Sequence, residues 1–296
     1  MANTFQVGDL KVSLVVESEF PVLTPNEVYP DATQEDIDKN EAWLAPRFYD
    51  RISDKLILSF QGFLIRSDGK NILVDTCVGD CKDRRRPSFD QKKWSWLDQL
   101  IAAGCEPEQV DIVVCTHFHV DHVGWNTQRV DGTWQPTFPN ARYLFVKKEW
   151  DYWRSGEGAH NITRTGDYMQ DSILPIVEAG LADFVDMDHR IDPDVSLKPA
   201  PGHTPGMVCV DLQSNGSQAI ITGDLLHTVL QVIYPDWSTR FCADPVLSRH
   251  TRKAFLERYA NTDVMILPAH FPRPTAGYIE RDSHGFRYRF VDEKKS

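Results

Sequence analysis

The hydrophobic pattern alternates between two periods from one end of the chain to the other. Apolar and polar positions alternate over residues 5–18 around Gly8-Asp9, which predicts a hairpin. Residues 56–66 and 71–76 predict two more strands, with Ser67-Asp68-Gly69-Lys70 as the turn between them. Residues 93–103 have helical spacing and stop at Gly104. Asp111-Ile112-Val113-Val114-Cys115 reads as a buried strand. Asp131-Gly132 marks a turn, residues 141–146 a strand, and Glu149 to Arg154 the start of a helix. Residues 155–167 are polar and Gly-containing and read as a loop, and residues 168–179 as a helix ended by Gly180. Residues 207–212 and 218–223 are strands separated by Asn215-Gly216, a two-residue hairpin signal. A helix over 248–260, a short buried strand over 264–267 and a strand over 286–291 complete the pattern.

Residues 21–55 break this rhythm. They are Pro-rich at the start, and then Thr33-Gln34-Glu35-Asp36 begins a short helix with a cap. Trp43, Leu44 and Phe48 are its apolar anchors, so the segment reads as an excursion from the core that would cover a pocket. With no internal repeat, low-complexity tract or linker, 1–296 reads as a single domain.

Composition narrows the class. The chain has 296 residues and is 41% hydrophobic, enough for one large core. A formal net charge of −11 argues against nucleic acid as a partner. The basic run Lys82, Arg84, Arg85, Arg86 reads as a solvated loop, with anion binding as the alternative. Cysteines 77, 81, 105, 115, 209 and 242 form no disulfide-scaffold pattern and read as free thiols. The first residues lack a signal pattern, and no apolar run nears the ~20 residues needed to span a membrane. A soluble cytoplasmic protein is expected, with no membrane partner. Exposed aromatic content is compatible with a homodimer.

The chemistry concentrates at Thr116-His117-Phe118-His119-Val120-Asp121-His122, directly after the 111–115 strand. His117 and His119 are two apart, so in extended chain they point to one side. Asp121 and His122 follow where the chain must turn and can aim at a second point close by. Imidazole nitrogen and carboxylate oxygen suit zinc or a similar divalent ion. The same grammar recurs at His203 in a Pro- and Gly-flanked turn, and at Asp224 and His270, each at a strand end.

The set Thr116-His117-x-His119-x-Asp121-His122, Gly202-His203-Thr204-Pro205-Gly206, Gly223-Asp224 and Pro268-Ala269-His270 resembles the metallo-β-lactamase-fold hydrolases over nearly the whole length. That resemblance implies an α/β fold, a four-layer αββα sandwich with the metal site at one edge of two facing sheets. It implies one ion held by His117, His119 and His203, a second by Asp121, His122 and His270, and Asp224 bridging them. Zn2+ is the default, and Mn2+, Fe2+ or Co2+ accept similar ligands.

Asp121-His122-Val123-Gly124-Trp125-Asn126 and Gly223-Asp224-Leu225-Leu226-His227 look like the branch of N-acyl homoserine lactonases and related phosphotriester hydrolases. The resemblance implies a bridging hydroxide that attacks a lactone or other ester carbonyl of a small molecule with an apolar part. Asp224 would orient the nucleophile, and Asp121 or His227 would return the proton. Some lactonases of this fold carry tyrosine where this chain has His227. An organophosphate or aryl-ester hydrolase is the alternative, followed by a mononuclear iron oxygenase and a non-catalytic metal-binding protein. His160, His189, His250 and His284 read as surface or structural residues. Trp125, Trp150, Trp153, Trp237 and Phe271 read as core. Loops 21–55, 148–168 and 228–247 are expected to shape the pocket.

Overall fold

The computed structural model describes residues 4–293, and the side chains of His160 and Asn161 also lie outside what is described. Two large sheets dominate it. The first has eight strands. Strand Thr4–Val7 is at one edge, followed by Leu10–Leu23, Lys55–Ser67, Lys70–Val74, Ile112–Val114, Arg142–Val146 and Ala182–Val185, with Tyr49–Asp50 added beside Lys55–Ser67. The second has six, in chain order from Val195–Pro199 through Val208–Ser214, Ser217–Ile221, Met265–Leu267, Gly277–Asp282 and Gly285–Phe290. A small hairpin, Thr127–Val130 with Thr133–Pro136, stands apart.

The strands are near-continuous apolar runs because both of their faces are buried. Phe63, Ile65, Ile72 and Val74 of the first sheet pack against Val208, Val210, Ala219, Ile221 and Leu267 of the second. The alternate residues point outward. Leu58, Phe60, Leu64 and Leu73 meet Trp96 and Leu100 of the helix Trp96–Ala102, Trp153 of Lys147–Ser155, and Ile176. Cys209, Ile220 and Ile266 meet Leu256 and Tyr259 of the helix Pro245–Tyr259. The result is the expected αββα sandwich. The strands that end in ligand residues all finish at one edge of it.

Four local expectations change. Ala159–Thr165 is helical where a loop is expected. Over 168–179 the helix opens with a wide π-turn, Met169–Ile173, before Leu174–Glu178. Pro175 has no N–H for the carbonyl of Asp171, and that oxygen instead accepts Lys82 Nζ at 3.1 Å and the Thr127 hydroxyl. Strand Gly277–Asp282, with Glu280-Arg281-Asp282 in it, carries too little apolar signal to be read from the sequence.

The fourth change is the basic run, which is not a solvated loop. Lys82 and Arg84 are buried, and Arg84 makes a two-pronged ion pair with Asp171, Nη1 to Oδ2 at 2.5 Å and Nη2 to Oδ1 at 2.9 Å. Burial pulls Lys82 down to about 7.

The segment over 21–55 folds as expected locally, with Thr33 and Asp36 capping the helix Gln34–Leu44 reciprocally. It packs behind residues 225–237: the Tyr29 ring lies tilted against that of Trp237, and its hydroxyl lies 2.9 Å from that of Thr228.

Candidate metal centre

All but one of the ligand-type side chains follow the end of a buried strand. Ile112–Val114 delivers His117, His119, Asp121 and His122, Ser217–Ile221 delivers Asp224, and Met265–Leu267 delivers His270. His203 comes from the turn between Val195–Pro199 and Val208–Ser214. Gly206 in that turn lies so close to Glu149 that a Cβ would sit 2.3 Å from the Glu149 backbone nitrogen, so only glycine fits.

The structure brings these seven residues together as two groups. One is His117, His119, His203 and Asp224, and the other Asp121, His122 and His270; within each group the ligand atoms lie within 4.8 Å of one another. Asp224 faces both groups. Its Oδ2 is 3.1 Å from His203 Nε2 and 3.6 Å from His117 Nε2, while its Oδ1 is 3.1 Å from His122 Nε2 and 3.0 Å from His270 Nε2. Asp121 Oδ2 lies 3.7 Å from His270 Nε2. His227, also buried, brings Nε2 to 3.0 Å from Asp224 Oδ2. His189 is half-buried, and His250 and His284 are exposed.

The rings are oriented from behind. His122 Nδ1 lies 2.8 Å from Asp75 Oδ2, and His270 Nδ1 2.8 Å from the Ser59 carbonyl. Thr116 donates its hydroxyl to Asp75, so it can accept at 3.1 Å from His117 Nδ1. His203 Nδ1 has Cys242 Sγ at 3.5 Å. With Nδ1–H donating, each of these rings turns its Nε2 lone pair toward the centre.

Burial holds His117 and His119 well below the ordinary histidine range. Burial works the same way on His122, His203 and His270, but the carboxylate of Asp224 together with Asp75 at His122, Cys242 at His203 and Asp121 at His270 outweighs it and raises all three, His203 to about 9. His227 stays low, at about 4, because there burial wins. Asp224 itself is held well below the usual carboxylate range; its burial is overcome by the surrounding histidines. The pocket therefore demands positive charge around one buried carboxylate. His117 Nε2, His122 Nε2 and Asp224 Oδ1 are buried and, close as they lie to neighbouring groups, none is in a well-aligned hydrogen bond. Orphaned ligand atoms converging on two points fit a pair of divalent cations.

Beside the centre opens a cavity of about 270 Å³ lined by Arg86, Phe89, His119, Val120, Asp121, Arg164, Thr165, Tyr168 and Phe241. Segments 148–168 and 228–247 contribute to it as expected; 21–55 supplies none of these residues. Trp125, Trp153, Trp237 and Phe271 are core, and Trp150 is partly buried.

Asp75, Glu149, Tyr168 and Phe241 were given no role at the site from the sequence, whereas Arg86 stood in the basic run with anion binding as its alternative. Glu149 is buried and ties the two ligand loops together. Its Oε1 accepts Phe118 N at 2.9 Å and Trp153 Nε1 at 2.7 Å, and its Oε2 accepts Gly206 N at 3.0 Å. A signal existed for Asp75, an acid at the end of a buried strand. None existed for Glu149, Tyr168 and Phe241.

A sequence profile of the Metallo-beta-lactamase superfamily matches residues 62–270. N-acyl homoserine lactonases of Bacillus sp and of Bacillus thuringiensis are 25% identical to the chain over 180 residues, 56% of this chain and 63% of theirs. The chain thus spans less than two thirds of the length of these curated relatives. Among solved structures, hydrolase AbOPH of the beta lactamase superfamily superposes with a TM-score of 0.83 at 22% identity, covering 99% of this chain and 98% of that one. AidC, a dizinc quorum-quenching lactonase, gives 0.80 at 22% identity with the same coverage. At that identity these two likenesses speak for the fold.

Proposed function

The chain belongs to the Metallo-beta-lactamase superfamily, and from that premise we propose that it is a dinuclear-metal hydrolase that opens a lactone or cleaves another ester. One observation carries the reading: Asp224 offers one carboxylate oxygen to each of two ligand groups, beside a cavity that Asp121 also lines.

His117, His119 and His203 would hold one ion, Asp121, His122 and His270 the other, and Asp224 both. Zinc suits this donor set best. When bound, the pair supplies a water of lowered pKa and polarises the ester carbonyl. The chain's own residues do the rest. Asp224 orients the attacking water from its buried position. Asp121 lines the cavity, where its carboxylate can take the proton that the attacking water gives up and return it to the departing alkoxide. His227, against Asp224, is the second candidate for that transfer. Val120, Phe89, Tyr168 and Phe241 exclude water from the cavity and receive the apolar part of the substrate.

The same reading treats the chain as one domain and, with all six cysteines free, places it in the cytoplasm. Among the described residues no helix is long and apolar enough to cross a membrane.

The test is proton release from N-acyl homoserine lactones and from simple aryl esters, with metal-loaded protein and a chelated control. Metal-dependent release supports the reading. A metal-loaded protein that hydrolyses neither, nor a phosphotriester, overturns it. Turnover of the phosphotriester alone moves the reaction from carbonyl to phosphoryl transfer.

A further inference from the structure

Two arginines face the cavity beside the metal centre, Arg86 and Arg164. Among the described residues neither is in an ion pair, in a chain with 43 acidic residues. Their neighbours behave differently. Arg84 is locked onto Asp171, and Arg85 donates to the Thr163 carbonyl. Asp83 and Asp90 lie close in sequence to Arg86, yet Asp90 accepts the Arg84 backbone N–H and Asp83 the Gln91 amide.

Both guanidinium groups are held against the cavity's aromatic walls. Arg86 lies 5.2 Å from the centre of the Phe89 ring, and Arg164 5.4 Å from that of Phe241. A guanidinium on a ring face still has the N–H donors at its edge to offer. Burial draws the Arg86 guanidinium below its ordinary value. The nearby positive charge of Arg164 adds to this, and the carboxylates of Asp121 and Glu27 oppose it. Two cations that share a small, partly dry cavity repel each other, and an anion between them removes that cost.

We propose that Arg86 and Arg164 bind a carboxylate carried by the substrate itself, so that the hydrolysed ester or lactone is one with a free carboxylate beyond an apolar spacer. This rests on the hydrolase reading and narrows it. The planar two-oxygen edge of a carboxylate matches the edge of a guanidinium. The spacer lies against Phe89, Val120, Tyr168 and Phe241 while the ester group reaches the centre at His119 and Asp121. A cavity of about 270 Å³ holds a substituted ring or a short chain more readily than a long acyl tail. The basic run thus divides by residue: Lys82 and Arg84 are structural, and Arg86 is a specificity residue.

The probes are terephthalate and 4-carbamoylbenzoate, titrated calorimetrically into metal-loaded protein. Both bring one carboxylate to the metals, and only the first brings a second. The expected result is at least about tenfold tighter binding of terephthalate, with the ratio falling toward one in Arg86→Met and in Arg164→Met. Arg164 is exposed, so its substitution leaves the core intact and keeps the test valid if Arg86→Met folds poorly. Equal affinities in the parent protein, or a preference that survives both substitutions, overturn the proposal.

The matched esters, mono-4-nitrophenyl terephthalate and 4-nitrophenyl 4-carbamoylbenzoate, separate the two readings. Turnover of both at equal kcat/KM, without a binding preference, sinks the carboxylate site alone. A binding preference without turnover of any ester sinks the hydrolase reading and leaves the carboxylate site standing.

Discussion

Asp75→Asn isolates the support behind the second ligand group. Asp75 is fully buried and accepts three donors at 2.8 Å: Thr116 N on Oδ1, and Thr116 Oγ1 and His122 Nδ1 on Oδ2. Its φ is +58°, a left-handed conformation that asparagine also tolerates, so the backbone does not confound the substitution. The amide keeps the volume but accepts on one side only. With its oxygen toward Thr116 N, its NH2 group confronts the ring N–H of His122. His122 relieves the clash by moving that proton to Nε2, which removes the lone pair turned toward Asp121 and His270. Two charge-assisted hydrogen bonds are lost or inverted, at about 1.5–3 kcal/mol each before relaxation. Folding stability should fall by ~2–4 kcal/mol. The affinity of the weaker-bound ion should fall about 10–100-fold, as for other outer partners of ligating histidines. Competition with a chromophoric chelator reads the affinity, and urea unfolding of the chelated protein reads the stability. Loss of stability with ion affinity unchanged within about twofold would refute the reasoning, because Asp75 would then only fasten the core.

Three further outcomes are expected. Glu149→Gln replaces an acceptor shared by three N–H donors, so it should cost ~1–3 kcal/mol in urea unfolding and lower kcat more than it raises KM; wild-type kcat would mean that the two ligand loops do not need this tie. Burial raises Glu17 from 4.5 to about 8, although Gly79 N, Val78 N and Trp125 Nε1 all donate to it. The folded chain therefore keeps a proton that the unfolded chain has released, and stability should decline by ~3–5 kcal/mol as pH rises from 4.5 through 8, then level off. In Glu17→Gln that contribution to the slope should vanish; an unchanged profile in urea titrations would reject the assignment. Chelation of the metal-loaded protein should lower Tm by about 10 °C in calorimetry, since ligands bound about a thousandfold above Kd add ~4 kcal/mol, and an unmoved Tm would mean that the centre binds metal weakly.

Elements that carry their own local signal were legible from the order of residues alone. Strands buried on both faces are short apolar runs, so 56–66, 111–115, 207–212 and 264–267 were legible, as was Asn215-Gly216, where both residues take positive φ. Six of the seven ligand-type residues were legible for the same reason, because they follow the end of such a run, and His203 was legible from its Pro- and Gly-flanked turn. Tertiary structure decided what depends on distant partners. Asp75 meets Thr116 41 positions away, Glu149 meets Gly206 at 57, and Tyr29 meets Thr228 at 199. No local pattern separates Arg84 from Arg86: one finds Asp171 across the fold, the other faces the cavity. Burial and charge pairing are properties of the packed chain. Within the same basic run, Lys82, Arg84 and Arg85 are therefore fastened to residues of the helix 159–165 and the wide turn at 169–173, and Arg86 lines the cavity.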